Sequence, residues 1–146
     1  MKIVQYRELP NELLEGMKIV HQLVFHDDFK QEKILGKLNF CAFLAIEDGV
    51  VVGFKFGYEH GDGVFYSWLG GVHPAYQQRG IASHLMEAQH AWCREQGYTR
   101  VRTYGVNDKK VMLIVNLKAG FDIIRTFTDD KGRHKIVFEK DLLERL

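Results

Sequence analysis

The chain has 146 residues, of which 46% are hydrophobic and 27% are charged, a composition typical of a folded domain rather than a disordered segment. Its 20 Lys and Arg residues are balanced by 19 Asp and Glu residues, which excludes a general electrostatic attraction to nucleic acid or to an anionic membrane. The length predicts a single domain that spans residues 1–146.

Location and cysteine usage follow from simple patterns. Residues 1–8 alternate and meet charge before any apolar run develops, which predicts no signal peptide. No window approaches the roughly 18 to 20 apolar residues that a membrane span requires, so we expect a cytoplasmic protein. Cys41 and Cys93 stand in apolar stretches, which favours buried thiols over a disulfide or a metal site.

The N-terminal part predicts one strand and two helices. Residues 2–9 alternate like an edge strand, and Pro10 follows them. Residues 11–24 carry apolar side chains at helical spacing. The polar stretch 26–29 interrupts this face, and we expect a second helix from there to about Leu38.

Three antiparallel strands are predicted next, over residues 40–46, 50–59 and 64–72. Asp48 and Gly49 are a strong hairpin signal because both tolerate positive φ. Glycines 70 and 71 stand at the end of the third strand, where glycine is typical of a bulge or of close approach to the backbone.

The rest of the chain alternates helices and strands. We predict a helix over 81–96, a strand over 100–106 parallel to strand 64–72, and a helix over 109–118. Strands 121–127 and 135–139 close the sheet, and residues 141–146 form a short tail.

The loop before the helix at 81–96 has the features of an anion site. The first turn of a helix leaves backbone N–H groups unpaired and carries a partial positive charge, which suits a phosphate. Gln77-x-x-Gly80-x-Ala82 places small residues there, with polar side chains beside them. The glycine patterns of Rossmann and P-loop sites are absent from the sequence, so a different phosphate carrier is expected.

The run from Val72 to Ala82, with its His-Pro after the strand, resembles the pyrophosphate motif of the GCN5-related N-acetyltransferases, Gln/Arg-x-x-Gly-x-Gly/Ala. A second match follows, since Asn107 ends a strand and Gly120-Phe121 ends the next helix. The resemblance covers essentially the whole chain. It implies the acyl-CoA N-acyltransferase (GNAT) fold, an α/β domain with a mixed, mostly antiparallel central sheet and flanking helices.

The resemblance also implies acetyl-CoA as the co-substrate and assigns roles to residues. Asn107 would contact its pantetheine or adenosine side. A backbone N–H around residues 69–72, near Gly71 and Val72, would meet the carbonyl oxygen. The pyrophosphate would be bound by one short run of residues: Gln77, Gln78, Arg79, Gly80, Ile81 and Ala82.

A base is needed because an alkyl amine, with a pKa of about 10.4, is mostly protonated at neutral pH. Several relatives carry Glu at the position of Tyr66. Glu59, at the end of the preceding strand, is the nearest carboxylate that could face the cleft, and Tyr66 and His73 are alternatives. A base that acts through a water molecule is a further alternative.

The sequence also leaves open which residue is the acid that would protonate the departing thiolate. Many relatives place a Tyr four residues before the Gly of Gly-Phe, and that position here is Asn116. An amide can hydrogen-bond to sulfur but supplies no proton. A thiol of pKa about 8.5 can also leave unprotonated. Tyr104 and Tyr76 are the candidate substitutes.

The function implied is transfer of an acetyl group from acetyl-CoA to a primary amine of a small molecule or peptide by direct attack. The alternative is a non-catalytic acyl-CoA-binding or sensing module, because the Tyr is missing. Residues 25–29 are candidates for the acceptor pocket. We expect no metal site and no nucleic-acid or membrane partner. Dimers are common in the family, and an exposed last strand would offer an edge for a homodimer.

Overall fold

The structure is a computed structural model that describes residues 1–143. One seven-stranded sheet runs through the molecule in the order β1-β2-β3-β4-β5-β7-β6, with helices on both faces. The strands are β1 (Lys2–Tyr6), β2 (Cys41–Glu47), β3 (Val50–Gly61), β4 (Val64–Val72), β5 (Arg100–Val106), β6 (Asp122–Thr128) and β7 (His134–Asp141). The helices are α1 (Asn11–Phe25), α2 (Ile81–Glu95) and α3 (Lys110–Lys118). Only β4 and β5 pair in parallel, which confirms the predicted mixed, mostly antiparallel sheet.

The second helix expected before β2 is the clearest error of the sequence prediction. The structure has only a 3-10 turn there, Gln31–Ile34. Leu35 is extended, with a ψ angle of 133°, and Gly36 has a φ angle of 79°, so no α-helix can continue to Leu38. The segment between α1 and β2 therefore crosses the sheet as an irregular strap, residues 26–40.

Two smaller predictions are also corrected. The expected tail begins too early, because Asp141 is the last residue of β7 and Leu142 is buried. The end of that tail, residues 144–146, lies outside the described residues. The last strand of the chain is not an edge, because β7 lies between β5 and β6. The edge strands are β1 and β6, and the residues of β6 are exposed throughout.

The sheet buries apolar side chains on both faces. One core layer lies against α2 and includes Phe43, Phe65 and Trp92. The other lies against α1 and includes Phe54 and Phe56. The large buried aromatics on both faces fix the sheet between its helices.

Both cysteines are free and buried, as predicted. Burial raises the pKa of the Cys41 thiol to about 11 and that of the Cys93 thiol to about 12. Neither is a thiolate at neutral pH, so neither is a candidate nucleophile.

An opening between β4 and β5 is the feature of the sheet that matters most for function. The two strands pair at only three positions, the last of which joins Tyr66 and Arg102. One further hydrogen bond, from Thr103 Oγ1 to the Ser67 carbonyl oxygen at 2.9 Å, marks the point where pairing stops. Residues 67–72 and 103–106 therefore flank a gap in the sheet, called here the β4–β5 opening.

The β5 side of the opening is held by an ion-pair network. The Glu139 carboxylate lies 3.0 Å from Arg100 Nη1 and 2.7 Å from Arg102 Nη2. Burial alone would raise the pKa of Glu139, but hydrogen bonds from Arg102 and Arg100 outweigh it and hold the pKa below its ordinary value. The network fixes β5 on β7 while β4 is free to diverge.

Lys55 of β3 is partly buried, and its side chain lies over Gly70 of β4. Burial lowers the pKa of Lys55 to about 8. Folding therefore opposes its charged form, and this cost is present in full below pH 8. We expect Lys55→Met to stabilise the protein at pH 7 by about 1–3 kcal/mol.

The test of this expectation is urea unfolding of both proteins at two pH values. The extra stability of Lys55→Met should shrink as the pH rises from 8 towards the pKa of an unfolded lysine. In this range Lys55 of the folded parent is increasingly neutral, so the parent no longer has to bury a charge. A gain that is the same at pH 7 and pH 9.5 would contradict the electrostatic explanation.

Candidate active site

The loop that leads from β4 into α2 ends at a helix N-terminus that no side chain caps. Gln78 and Gly80 have φ angles of 64° and 78°, so the chain turns through two left-handed residues. Gly80 is the N-cap residue of α2 and supplies no side-chain acceptor to the first turn. The first-turn N–H groups, which include those of Ile81 and Ala82, have no intrahelical acceptor. This end of α2 can therefore receive an anion.

The side chains of the loop surround this helix end. Gln77, Gln78, Arg79 and Gly80 are exposed. The Arg79 guanidinium lies 4.9 Å from the centre of the Tyr76 ring and 3.9 Å from a Glu47 oxygen.

Two of the alternative catalytic side chains hold this loop together. Tyr76 lies under Arg79. His73 Nδ1 accepts a hydrogen bond from the Ala75 N–H at 3.0 Å. These contacts give Tyr76 and His73 structural tasks in the loop.

The irregular point of β4 is Trp68 rather than the glycine pair. Ser67 pairs with Gly57 and Leu69 pairs with Phe56, so Trp68 is an extra residue on β4. A bulge of this kind leaves backbone groups unpaired. It lies beside the β4–β5 opening.

The predicted backbone donors continue from the bulge along the same strand. Gly71 and Val72 pair regularly with Phe54 and Gly53. A Cβ on Gly71 would lie 3.0 Å from Val24, so this glycine allows close packing of α1.

Aromatic side chains line the sheet next to the opening, in what we call the aromatic row. Its members are Trp68, Tyr58, Tyr66, Tyr104 and Phe127. Successive ring centres lie 5.7, 5.2, 5.3 and 5.9 Å apart. The rings come from β3, β4, β5 and β6, so only the folded sheet brings them together.

Tyr66 occupies the middle of the aromatic row. Burial raises the pKa of its hydroxyl well above the ordinary value, and the neighbouring hydroxyls of Tyr58 and Tyr104 raise it further. The hydroxyl therefore stays protonated at neutral pH, where it can donate a hydrogen bond but is a poor base.

Glu59, the other predicted base, is engaged elsewhere. Its Oε1 accepts hydrogen bonds from Tyr98 Oη and from Asn39 Nδ2, each at 2.9 Å. Its backbone pairs with Phe65, before the point where β4 and β5 separate. The structure therefore does not bring Glu59 to the opening, and its contacts favour a structural role.

The predicted residues of the C-terminal half lie in three places: strand β5, the turn that follows it, and helix α3. Asn116 is buried near the end of α3, with 4% of its surface exposed. Asn107 is exposed in the turn that follows β5. Tyr104, a candidate acid, lies in the aromatic row.

One histidine was misplaced by the sequence prediction. We expect from the sequence that His84 and His90 lie on the wetter face of α2, and this is wrong for His90, which is 2% exposed. Burial lowers the pKa of His90 to about 3, helped by the positive charge of Lys140. The reason is its packing against Phe121 at a ring distance of 5.5 Å.

No group of three or more His, Cys, Asp or Glu side chains in residues 1–143 is arranged to hold a metal ion. Within the same residues, no helix combines the length and apolar character needed to cross a membrane.

Comparison with known proteins identifies relatives of this geometry. The model of the acetyltransferase (GNAT) family matches residues 6–112. No curated protein matches the sequence.

Solved structures match along nearly the whole chain. Ard1 from Thermoplasma volcanium is 21% identical, with a TM-score of 0.78 and coverage of 97% of this chain and 99% of that one. The ribosomal-protein-S18-alanine N-acetyltransferase from Escherichia coli is 12% identical, with a TM-score of 0.81 and coverage of 99% and 97%. An aminoglycoside 6'-N-acetyltransferase complexed with coenzyme A is 10% identical, with a TM-score of 0.83 and coverage of 100% and 99%. At these identities the likeness shows a shared fold.

Proposed function

Since this chain belongs to the acetyltransferase (GNAT) family of acyl-CoA-dependent N-acyltransferases, we propose that it transfers an acetyl group from acetyl-CoA to a primary amine of a small molecule or peptide. The observation that carries the proposal is the position of the uncapped start of α2 directly after β4, the strand that separates from β5. An anion-binding helix end and a gap in the sheet are thus joined by one short loop.

The helix end is proposed to hold the pyrophosphate of acetyl-CoA. The main-chain N–H groups after Gly80 would be the principal donors, because Gly80 leaves them without a side-chain cap. Gln77, Gln78 and Arg79 would add side-chain donors from the exposed loop. Asn107, in the turn after β5, is proposed to contact the pantetheine or adenosine part.

The reaction asks the protein mainly for position and hydrogen-bond donors. The neutral amine forms a C–N bond to the thioester carbon, the C–S bond breaks, and the amine proton passes to water. A backbone N–H of residues 68–72 is proposed to stabilise the negative oxygen of the intermediate. The Tyr66 hydroxyl, which burial and its neighbours keep protonated, is proposed to act as a hydrogen-bond donor and not as a base. Tyr104, the next ring of the aromatic row, remains a proposed candidate for the acid. Asn116 remains a proposed neighbour of the sulfur.

The acceptor is proposed to be an alkyl ammonium ion that loses its proton in the site. Aromatic faces attract such cations, with about 0.5–2 kcal/mol for each good contact, and the aromatic row supplies several faces beside the opening. The similar structures include enzymes named for an aminoglycoside and for the alanine of a ribosomal protein, both of which present amines. Asp27 and Asp28, exposed in the strap, would add negative charge.

We also propose an oligomeric state and a cellular compartment for the protein. A homodimer would use β6, the edge strand on which Ile123, Ile124 and Phe127 are exposed. The proposed compartment is the cytoplasm.

The test is CoA release measured with a thiol reagent, with acetyl-CoA and a panel of alkyl amines, aminoglycosides and peptides with free N-termini. The buried cysteines give little background. We expect turnover with at least one amine, and Trp68→Ala should raise the amine KM about tenfold while the acetyl-CoA KM stays constant. Tight binding of acetyl-CoA without transfer to any amine would favour the non-catalytic module instead.

A further inference from the structure

A lysine of this chain already stands where an acceptor ammonium is expected. Lys37 Nζ lies 4.7 Å from the centre of the Tyr58 ring and 5.6 Å from the centre of the Trp68 ring. Both rings belong to the aromatic row, and Trp68 is the bulge residue beside the β4–β5 opening. The amine is therefore next to the gap through which the proposed acetyl donor is reached.

The strap holds Lys37 in this position through its backbone. The Lys37 N–H donates to the Ile34 carbonyl oxygen at 3.1 Å. The next residue is tied to the sheet, since the Glu59 N–H donates to the Leu38 carbonyl oxygen at 2.7 Å. Asn39 follows, with its amide 2.9 Å from the Glu59 carboxylate.

The contacts of the Lys37 ammonium differ from those of an ordinary structural lysine. Within residues 1–143, Lys37 takes part in no ion pair, and its charge meets aromatic faces instead. Because no carboxylate in this part of the chain holds the Lys37 side chain, Nζ can move from the ring faces towards the opening without breaking an ion pair.

We propose that Lys37 is a self-acetylation site, an internal acceptor that the protein modifies from acetyl-CoA. This rests on the proposed function, because the same site and the same donor are used. The neutral Nζ attacks the thioester carbon, the C–N bond forms and the C–S bond breaks. CoA leaves as the thiolate, and the proton released by nitrogen passes to water and then to the thiolate.

The modification has a physical consequence for the site. Acetylation removes the positive charge of Lys37 and with it the attraction to the Tyr58 and Trp68 faces. The strap then loses one of its contacts with the aromatic row. The row becomes available to an external ammonium ion once Lys37 no longer competes for it.

The experiment is incubation of the purified protein with acetyl-CoA and no added amine, followed by intact mass and peptide mapping. We expect a mass gain of one acetyl group on the peptide that contains Lys37, at a rate independent of protein concentration. Lys37→Arg should abolish the labelling of this peptide. Lys33→Arg, an exposed lysine of the same strap, is the matched control and should leave it unchanged.

Two results of the labelling experiment would overturn the inference. One is labelling of Lys37 that is no faster than that of Lys33. The other is labelling that continues at the same rate in Gly80→Asp, since spontaneous acetylation does not need the donor site. Release of CoA with external amines, measured in parallel, separates the two proposals: turnover without labelling of Lys37 overturns only this inference, whereas absence of both overturns the proposed function as well.

Discussion

Gly80→Asp is expected to lose acetyl-CoA binding by at least about 100-fold while the protein remains folded. Gly80 adopts a φ of 78°, a region that Asp tolerates better than most residues. A new side chain has room, because its Cβ would meet only His84 atoms at 3.7 and 3.9 Å. The added carboxylate would place a negative charge beside the N–H groups proposed to hold the pyrophosphate. It would repel the ligand and compete for the same donors.

Thermal unfolding with and without acetyl-CoA measures this effect directly. Ligand at about 100 times its Kd stabilises a protein by about 2.7 kcal/mol, which corresponds to roughly 5–10 °C for a domain of this size. The parent should show this shift and Gly80→Asp should show none. Turnover in the variant should fall in step, with the loss expressed in the acetyl-CoA KM.

Gly97→Asp is the matched control at the other end of α2. Gly97 also has a positive φ, 88°, and nothing lies within 4 Å of its Cβ position. The backbone strain and the added charge are therefore similar, but the C-terminal end of a helix offers no N–H groups to an anion. A normal acetyl-CoA shift in Gly97→Asp with none in Gly80→Asp supports the site. Equal loss in both variants would show that the effect is strain alone.

The contrast between these two glycines shows what the sequence can predict. Gly80 and Gly97 flank α2, and glycine at these two positions is a local signal for the ends of a helix. The helix was predicted over 81–96 and is observed over Ile81–Glu95. Local rules of this kind also predicted the β2–β3 hairpin at Asp48 and Gly49. The second helix failed because Gly36 adopts positive φ inside it, and the strap is instead tied to β3 through Asn39.

The site was less predictable than the fold because its parts meet across strands. Alternation places Tyr58 and Tyr66 on one face of neighbouring strands, but the contact between them depends on a register that shifts at the Trp68 bulge. Lys37 reaches the same rings from an irregular segment without periodicity. The sequence shows that Glu59 is a carboxylate and therefore a candidate base. It does not show that Glu59 accepts a hydrogen bond from Tyr98, which lies 39 positions away in the chain. Non-local register of this kind has no single-sequence signal.

Gly57→Ala is expected to destabilise the protein by about 3 kcal/mol, because a side chain at this position has no space. A Cβ there would lie 2.3 Å from Phe65 Cε2 and 2.6 Å from the Tyr66 carbonyl oxygen. The ring could turn away only into a packed core, and the carbonyl is part of the β3–β4 ladder. Urea unfolding measures the loss, and the thermal midpoint should fall by about 6–12 °C.

The same substitution should damage activity beyond its effect on folding. Gly57 pairs with Ser67, the residue just before the Trp68 bulge and just after the last β4–β5 pair. Relief of the clash must push β4 away from β3 at the start of the opening, which moves the backbone donors and the ring of Tyr66 together. We therefore expect turnover of the folded variant, measured well below its unfolding temperature, to fall by at least tenfold.

Gly70→Ala is the control for stability, because it changes a glycine of β4 in the same pair of strands. Its Cβ would meet the Phe54 carbonyl oxygen at 3.4 Å and Lys55 atoms at 3.6 Å, which are ordinary contacts. We expect a loss of less than about 1 kcal/mol. A comparable loss in both variants would mean that any methyl group in these strands is harmful. Near-normal stability of Gly57→Ala would show that β4 yields easily at the bulge, and the close packing of β4 on β3 at Gly57 would then not constrain the opening.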